Sequence, residues 1–423
     1  MNTLKIKELI QEFKEGTLPR LRMLKGYYDG RHAILLDKKE AGKPQNKIVN
    51  NFCKNITDTT VGYFMGTPVS YGSDDKELIS ELVRINNYND EQFVNSRLSK
   101  DLSVYGMACE MLYLDENKEI RVVPCDITSV IPVWSSTVER ELVGAIRLAT
   151  GEDSSHTRVE VYDDKEICVY SLDAGGNMQK TGTYAHYFGA VPLNFYFNNS
   201  DATGDFEPII TLVDAYNKLQ SESVNDFELF ADSYLAITGM SDTQSEDIER
   251  LRENRVLLLD EGGHAEWLVK SVNDGYIENL KSRISSDIYR FSGSVDMTDD
   301  TIGQSASGIA IKYRLLNFEN RVSVTERFFK KGLARRYEMI CTLLSLLGKS
   351  YDWRNIKMVF SRNIPENPAD SAVYAEKMSG IVSKRTLLEA LPMVDDAEGE
   401  LERIKSEMAD TAVGVSNKSD SEE

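Results

Sequence analysis

The chain has 423 residues, with 49 Lys and Arg against 68 Asp and Glu, a formal net charge of −19. That balance excludes a protein that grips nucleic acid through a basic footprint, but not one past which a polyanion slides. Hydrophobic residues at 41% and aromatics at 9% specify a folded protein with room for two or three domains. No apolar run approaches the ~20 residues of a membrane helix, and Met1-Asn-Thr-Leu-Lys-Ile-Lys7 reads as an amphipathic helix rather than a signal peptide. Cys53, Cys109, Cys125, Cys168 and Cys341 lack C-x-x-C spacing and read as reduced thiols of a cytosolic protein.

Residues 3–28 read as two helices, the first with Leu4, Ile6, Leu9, Ile10 and Phe13 on one face and the second starting at Thr17-Leu-Pro19. A polar loop follows over 37–45. Asn46-Lys-Ile-Val-Asn-Asn-Phe52 leads into a helix that stops at Gly66, with Pro68 beyond it. Residues 76–105 are again helical. From about 106 the pattern becomes short and β-rich: 107–114, 119–124, 130–134, 142–148, 158–162, 167–170 and 182–187, separated by turn residues. Antiparallel strands account for it, giving an α+β region over roughly 1–205.

Residues 207–239 read as a helix with Pro208 in its first turn. Its apolar stripe runs through Leu212, Tyr216, Leu219, Phe227, Phe230 and Tyr234. Arg255–Leu259 and Ala265–Val269, joined through Gly262-Gly263, read as a hairpin. A second helix carries Ile277, Leu280, Ile284 and Ile288. The stretch 292–308 is small and acidic, a loop by composition, in which Ser305 or Ser307 can cap the next helix. That next helix, from about 305 to 347, is the most unusual element. A run of ~40 residues spans roughly 60 Å, far beyond the average of ~11–12 residues. Gly348 ends it and Gly332 is its natural place to bend. Between Ser307 and Gly348 eight Lys and Arg face three Glu, a reversal of the chain's balance. Lys312, Arg314, Arg321 and Arg327 lead that group. They read either as a solvated or subunit-facing surface, or as contacts to an acidic neighbour or a nucleic-acid backbone. After Gly348 come a strand at 356–360, short helices at 370–378, 384–391 and 397–408, and from 411 a polar acidic tail expected to be disordered.

Catalytic signatures are missing. His32, His156, His186 and His264 show no zinc spacing, and no P-loop or G-x-S-x-G is present. Asp395-Asp396 suits a helix N-terminus. Asp299-Asp300 with Asp296 could hold Mg²⁺ in a nuclease, although a solvated acidic loop is the simpler reading.

Several stretches then converge on one family. Tyr27-Tyr-Asp-Gly-Arg-His32, Asn46-Lys-Ile-Val-Asn-Asn-Phe52, Gly62-Tyr-Phe-Met-Gly-Thr-Pro68, Tyr187-Phe-Gly-Ala-Val-Pro192 and Phe197-Asn-Asn199 lie in the first half. Asp214-Ala-Tyr-Asn-Lys218, Ser223-Val-Asn-Asp-Phe227 and Ser305-Ala-Ser-Gly-Ile-Ala-Ile-Lys312 follow. In order and spacing the chain resembles the portal proteins, or head-to-tail connectors, of long-tailed bacteriophages.

The resemblance implies a portal fold. Its parts would be an α/β wing at 1–206, stem helices at 207–240 and 273–293, and a small α/β clip at 241–272. A tunnel loop at 294–306, a long kinked helix with a returning strand at 307–365 and a short helical crown at 366–410 would complete it. It implies a ring of about twelve copies at one capsid vertex, with duplex DNA passing non-specifically through it. The tunnel loop would present Asp296, Met297, Thr298, Asp299, Asp300, Thr301 and Gln304 to that DNA. The clip, through Arg255, Leu257, Leu259, Glu261, His264 and Trp267, would dock the terminase large subunit and later the head-completion or adaptor protein. Stem packing would fall to Phe227, Phe230, Tyr234, Ile277, Leu280, Ile284 and Ile288. Major capsid and scaffolding proteins are further implied partners. The chain would belong to the virion, be assembled in the host cytoplasm, have no membrane contact and no cofactor, and catalyse nothing itself. A non-portal head or adaptor protein of small oligomeric size is the competing expectation.

Overall fold

The structure is a computed structural model that describes residues 2–38, 44–150, 156–231, 234–238, 264–268, 274–296 and 308–363. Between 373 and 406 it describes 373, 375–389, 391, 394, 397 and 399–406. The chain divides into two compact units, residues 1–362 and 363–423.

The first unit opens with α1 (Thr3–Glu12) and α2 (Leu18–Tyr28). They join through a π-turn over Phe13–Thr17 rather than a loop. Pro19 supplies no N–H to the preceding turn, and the wider π-turn absorbs the missing bond. Next come α3 (Phe52–Met65), β1 (Ser70–Gly72), α4 (Lys76–Tyr88) and α5 (Glu91–Tyr105). Asn51 and Asp75 cap α3 and α4 by accepting backbone N–H bonds, as their side chains favour.

Strands follow at β2 (Met107–Leu114), β3 (Ile120–Cys125), β4 (Val130–Trp134), β5 (Leu142–Thr150), β6 (His156–Tyr162), β7 (Glu166–Asp173), β8 (Met178–Ala185) and β9 (Leu193–Phe197). Strands β4 to β8 form a five-stranded antiparallel meander in sequence order, and β2 sits between β3 and β9 in a second sheet. The sequence reading missed β9, which pairs Met107↔Phe197 through Met111↔Leu193. Its run of aromatics carries no alternation to mark it. One apolar cluster joins both sheets to the N-terminal helices through Ile6, Leu21, Leu24, Ile56, Ile146 and Val159. All five cysteines are free thiols, four of them buried.

Beyond β9 lie α6 (Ile210–Ala231), β10 (Tyr234–Thr238), β11 (His264–Leu268), α7 (Asp274–Ser292), α8 (Gly308–Leu346) and β12 (Lys357–Val359). One expectation is corrected here. The helix read over 207–239 ends at Ala231, and Tyr234 stands on a strand, β10, that pairs antiparallel with β11. Aromatic and β-branched residues in Tyr234-Leu-Ala-Ile-Thr238 favour the pleated form over continuation of the helix. Arg255, Leu257, Leu259 and Glu261 lie outside the described residues, while His264 and Trp267 lie on β11.

The long helix α8 is unbroken over 39 residues. Its apolar stripe is the spine of the unit: Leu315, Phe318, Val322, Phe329, Leu333 and Tyr337 are all buried, as are Ile340 and Leu344. Phe329 packs edge-on to Phe64, and Phe64 stacks on Phe360 beyond β12. Strand β12 then pairs with β1. Arg362, the last residue of the unit, binds Glu319 at 2.8 Å and Glu326 at 2.7 Å, and the Tyr63 hydroxyl donates to Glu319 at 2.6 Å.

In the second unit helical residues occur at 375–378, 399–406 and in α9 (Lys384–Glu389), with the Ser383 hydroxyl accepting the Thr386 N–H at 3.2 Å. Among the described residues no helix is long and apolar enough to cross a membrane.

Candidate functional site

The segment 44–50 has neither helix nor strand partners, yet it is held firmly. Its backbone N–H groups at Asn46, Ile48 and Asn50 donate to Asn225 Oδ1 (2.6 Å), Ser221 Oγ (2.9 Å) and Asn217 Oδ1 (2.8 Å). The match is geometric. Two residues of extended chain advance about 6.6 Å, and four residues of helix advance about 6 Å, so alternate N–H groups meet the i, i+4, i+8 face of α6. Each donor would otherwise be unpaired against the helix.

Asn217 is fully buried, and its Nδ2 donates to His32 Nδ1 at 2.9 Å. That fixes the neutral tautomer, leaving Nε2–H to donate to the Tyr27 carbonyl at 3.0 Å. The Tyr27 hydroxyl in turn donates to Asp214 on α6 at 2.8 Å. Burial pulls the His32 imidazole below its ordinary pKa; the bond to the Tyr27 carbonyl and the charge of Asp214 pull the other way.

The sign of the pH dependence follows. Above pH ~6.5 the ring is neutral in both folded and unfolded states. As pH falls below that, the unfolded chain binds a proton that the folded chain resists. Stability therefore drops, by up to about 1.4 kcal/mol per pH unit, until the folded pKa is reached. Denaturant midpoints of wild type and His32→Gln, followed from about pH 7.5 to 5, should diverge by a shallower slope in the variant. Parallel curves would refute this assignment.

The helices α6 and α7 pack along each other from this root. Near it Ile288 is fully buried and Ile284 packs on the core. Farther along, Ile277 and Leu280 are only half-buried, while Phe227 is 74% and Tyr276 65% exposed. Phe230 lies on the last turn of α6.

Helix α7 stops abruptly. Gly293 takes a positive φ of 63°, the Ser294 N–H reaches back to the Tyr289 carbonyl at 3.1 Å and the Gly293 N–H to that of Arg290. This is a Schellman stop, which needs a glycine at the left-handed position. Asp296 follows, half-buried. Burial and the charge of Asp296 push the Tyr289 hydroxyl up to about 12. Met297, Thr298, Asp299, Asp300, Thr301 and Gln304 lie outside the described residues, as do the expected caps Ser305 and Ser307.

The basic residues of α8 separate into two groups. Lys312 stands near its start, and Arg314 and Arg327 are exposed. Arg321 is a correction: it is neither solvated nor free for an outside partner. It pairs with Asp205 at 2.5 Å and donates to Thr60 Oγ1 at 2.8 Å, and its side chain lies against Gly293. Asp205 also accepts from Asn198 Nδ2 at 2.9 Å, and Thr325 donates to Asn198 Oδ1 at 2.7 Å. Arg321 thus ties α8 to α3 and to the turn after β9, beside the glycine that ends α7.

Sequence reasoning also passed over Arg336, which is buried. Its Nη2 donates to Glu110 Oε2 at 2.6 Å, and Glu110, fully buried on β2, also accepts from the Tyr196 hydroxyl (2.7 Å) and Asn194 Nδ2 (2.9 Å). Gly332, read as a bend, has another reason to be glycine. A Cβ there would come within 2.2 Å of Tyr196 Cδ1 and 2.3 Å of Cε1, and the Gly332 carbonyl accepts from Asn194 at 2.9 Å.

A model of the phage portal protein family of SPP1 Gp6-like type matches residues 7–413. The chain belongs to that portal family. The portal protein of Bacillus phage SPP1 is 24% identical over 406 residues, covering 90% of this chain and 79% of its own. The portal protein of Clostridium phage phiCD119 is 24% identical over 416 residues, covering 88% and 89%. A solved chain from the neck of an empty GTA particle, computed with C6 symmetry, superposes with a TM-score of 0.46 at 15% identity, covering 80% of this chain and 89% of that one. Portal proteins are structural virion components rather than enzymes. The stretches by which this sequence resembles portal proteins supply the contacts above: Tyr27 and His32, the 46–50 strap, Asn198, Asp214, Asn217 and Asn225. Among the described residues no cluster of His, Cys, Asp and Glu could hold a metal ion. Asp299 and Asp300 of the nuclease reading lie outside them.

Proposed function

We propose that copies of this chain close into a ring of about twelve at one capsid vertex, and that duplex DNA is packaged and ejected through its centre. The observation that carries the reading is the stem. Helices α6 and α7 are bolted into the core at one end, and away from it they leave Phe227 and Tyr276 to solvent. A lone chain gains nothing by wetting such residues; adjacent copies in a closed ring would cover them. Phe291 (62%) and Tyr313 (75%), on α7 and α8, offer further surface of the same kind.

The charge fits a conduit. Each phosphate neutralised by Lys or Arg adds salt-dependent affinity and would act as a brake. A chain of net charge −19, with Asp296, Asp299 and Asp300 in or beside the 297–307 segment, keeps such contacts weak. In this reading residues 1–206 form the wing, 294–306 the tunnel loop and 366–410 the crown. The β10–β11 pair is the root of the clip that docks the terminase large subunit and then the head-completion protein. Capsid and scaffolding proteins would meet the outer wing.

Electron microscopy of the purified chain, with native mass as a check, tests the reading. End-on rings of about twelve copies around a hole wide enough for duplex DNA are expected. A monomer or dimer that persists across salt and concentration would refute self-assembly as its intrinsic property.

A further inference from the structure

Cys109 and Cys125 stand directly opposite each other on β2 and β3. They share the register of Asp115 and Glu119, whose N–H to carbonyl bond measures 3.0 Å, so they occupy a hydrogen-bonded pair of the ladder. Such a pair holds its Cα atoms about 5.5 Å apart, near the middle of the range a disulfide spans. Both side chains leave the same face of the sheet. No C-x-x-C spacing marks this pair, because strand register alone brings it together. The other three cysteines stand apart, Cys53 on α3, Cys168 on β7 and Cys341 on α8. The paired thiols are not equivalent. Cys109 is fully buried, whereas Cys125, at the end of β3, keeps 9% exposure. A hydrogen bond from Cys109 and the charge of Arg147 hold the Cys125 thiol below its ordinary pKa against burial, while burial pushes the Cys109 thiol well up. Glu160 fixes the Arg147 guanidinium in place at 2.7 Å. An acidified thiol beside a cation, with a second thiol in reach, is the make-up of a reactive dithiol.

We propose that Cys125 and Cys109 form an oxidation site, which hydrogen peroxide converts into a reversible disulfide with Cys125 attacking and Cys109 resolving. The Cys125 thiolate attacks one peroxide oxygen. An S–O bond forms as the O–O bond breaks, and the departing hydroxide takes up the proton that the thiol released and leaves as water. The Cys109 sulfur then attacks the sulfenic sulfur of Cys125. An S–S bond forms, the S–O bond breaks, and the hydroxide leaves with the Cys109 proton as a second water. Two thiols thus lose two electrons to one peroxide. Closure draws opposed Cβ atoms from about 5 Å to about 4 Å, so the bond is strained, and strained disulfides are the readily reduced ones. A virion component leaves the reducing interior of its host, where thiols are kept open, and meets oxidants outside. The closed bond would pin β2, whose next residue, Glu110, holds Arg336. None of this depends on the ring reading.

The test uses the full chain carrying Cys168→Ser, which removes the one half-buried thiol and leaves four. The folded protein is treated with hydrogen peroxide, then denatured, and its thiols are counted and its peptides mapped by mass spectrometry. The count should fall from four to two, the peptide of Cys109 should be joined to that of Cys125, and dithiothreitol should restore all four thiols. Four thiols that survive a dose already converting Met23, 42% exposed, to its sulfoxide would overturn the proposal. So would a bond to Cys53 or Cys341, a bond between chains, or a loss that dithiothreitol does not reverse. Adding Cys109→Ser removes the resolving thiol. Cys125 should then stop at the sulfenic acid, and dimedone should label it at least about tenfold more than Cys53 or Cys341. Equal labelling of the three would show that Cys125 is not the attacking thiol. The first measurement keeps both cysteines of the pair in place, so it decides the matter even if the second variant folds poorly.

Discussion

Glu110→Ala is expected to lower folding stability by about 3–5 kcal/mol, because it strands a buried charge. Glu110 is 0% and Arg336 1% exposed. The two are joined by Nη2 to Oε2 at 2.6 Å and Nε to Oε1 at 3.0 Å. Removing the carboxylate would leave the guanidinium only the longer contact to Glu91 at 3.4 Å, and would take the acceptor from Tyr196 and Asn194 as well. The loss therefore measures stranded donors rather than the net worth of the pair. A second variant separates the two. Glu110→Leu with Arg336→Met removes both charges, and replacing a buried pair by apolar groups is often neutral. The double variant should recover most of the loss, and with Glu110→Leu and Arg336→Met measured singly to close the cycle it should give a coupling energy of at least about 2 kcal/mol. Chemical denaturation of the full chain at fixed protein concentration reads both values. A loss below about 1 kcal/mol for Glu110→Ala would mean that water reaches the cluster, contrary to its burial.

The same helix shows what the sequence could and could not tell. Its apolar stripe was legible, and each of its members with a described side chain is buried, because a three- and four-residue repeat leaves one geometric solution. The charges on α8 were legible only in part. Arg321 follows Phe318 by three and precedes Thr325 by four; Arg336 follows Leu333 by three and precedes Ile340 by four. Arg336 therefore sits in the phase of the buried stripe, but phase does not single out Arg321: Arg314 follows Ile311 by three and precedes Phe318 by four, the same spacing, and is exposed. Their partners were not legible: Glu110 and Asp205 lie more than a hundred residues away in sequence. The strap at 46–50 escaped for a similar reason. Its N–H groups are paired by side chains of α6 some 170 residues on, and no local pattern encodes that. The end of α6 at Ala231 was overlooked because Tyr234 keeps the helical spacing while its neighbours already favour a strand. The strand expected at 356–360 is present as β12, but its partner β1 has only three residues, too few for any periodicity to declare it, so the pairing was not legible.

Gly332→Ala decides between two meanings of one residue, since they predict opposite signs. If glycine at 332 served only to let the helix bend, alanine would stabilise α8 by about 1 kcal/mol through helix propensity. If it serves close packing, the added methyl meets the ring of Tyr196, which is fully buried, tilted against Phe329 and tied to Glu110 by its hydroxyl. The ring cannot retreat without losing that bond or opening the Phe329 contact, and α8 cannot shift without straining the Arg336–Glu110 pair one turn along. Overpacking at such a site costs about 1–3 kcal/mol and occasionally more, which exceeds the propensity gain. The variant should therefore unfold at lower denaturant with an unchanged slope of the transition. Trimming the obstacle provides the control. Combined with Tyr196→Leu, which is itself destabilising, Gly332→Ala should cost less than it does alone, because the methyl then enters space the ring has left. A stabilising Gly332→Ala would restore the bend as the reason for the glycine. Additive costs would show that the methyl and the ring never meet.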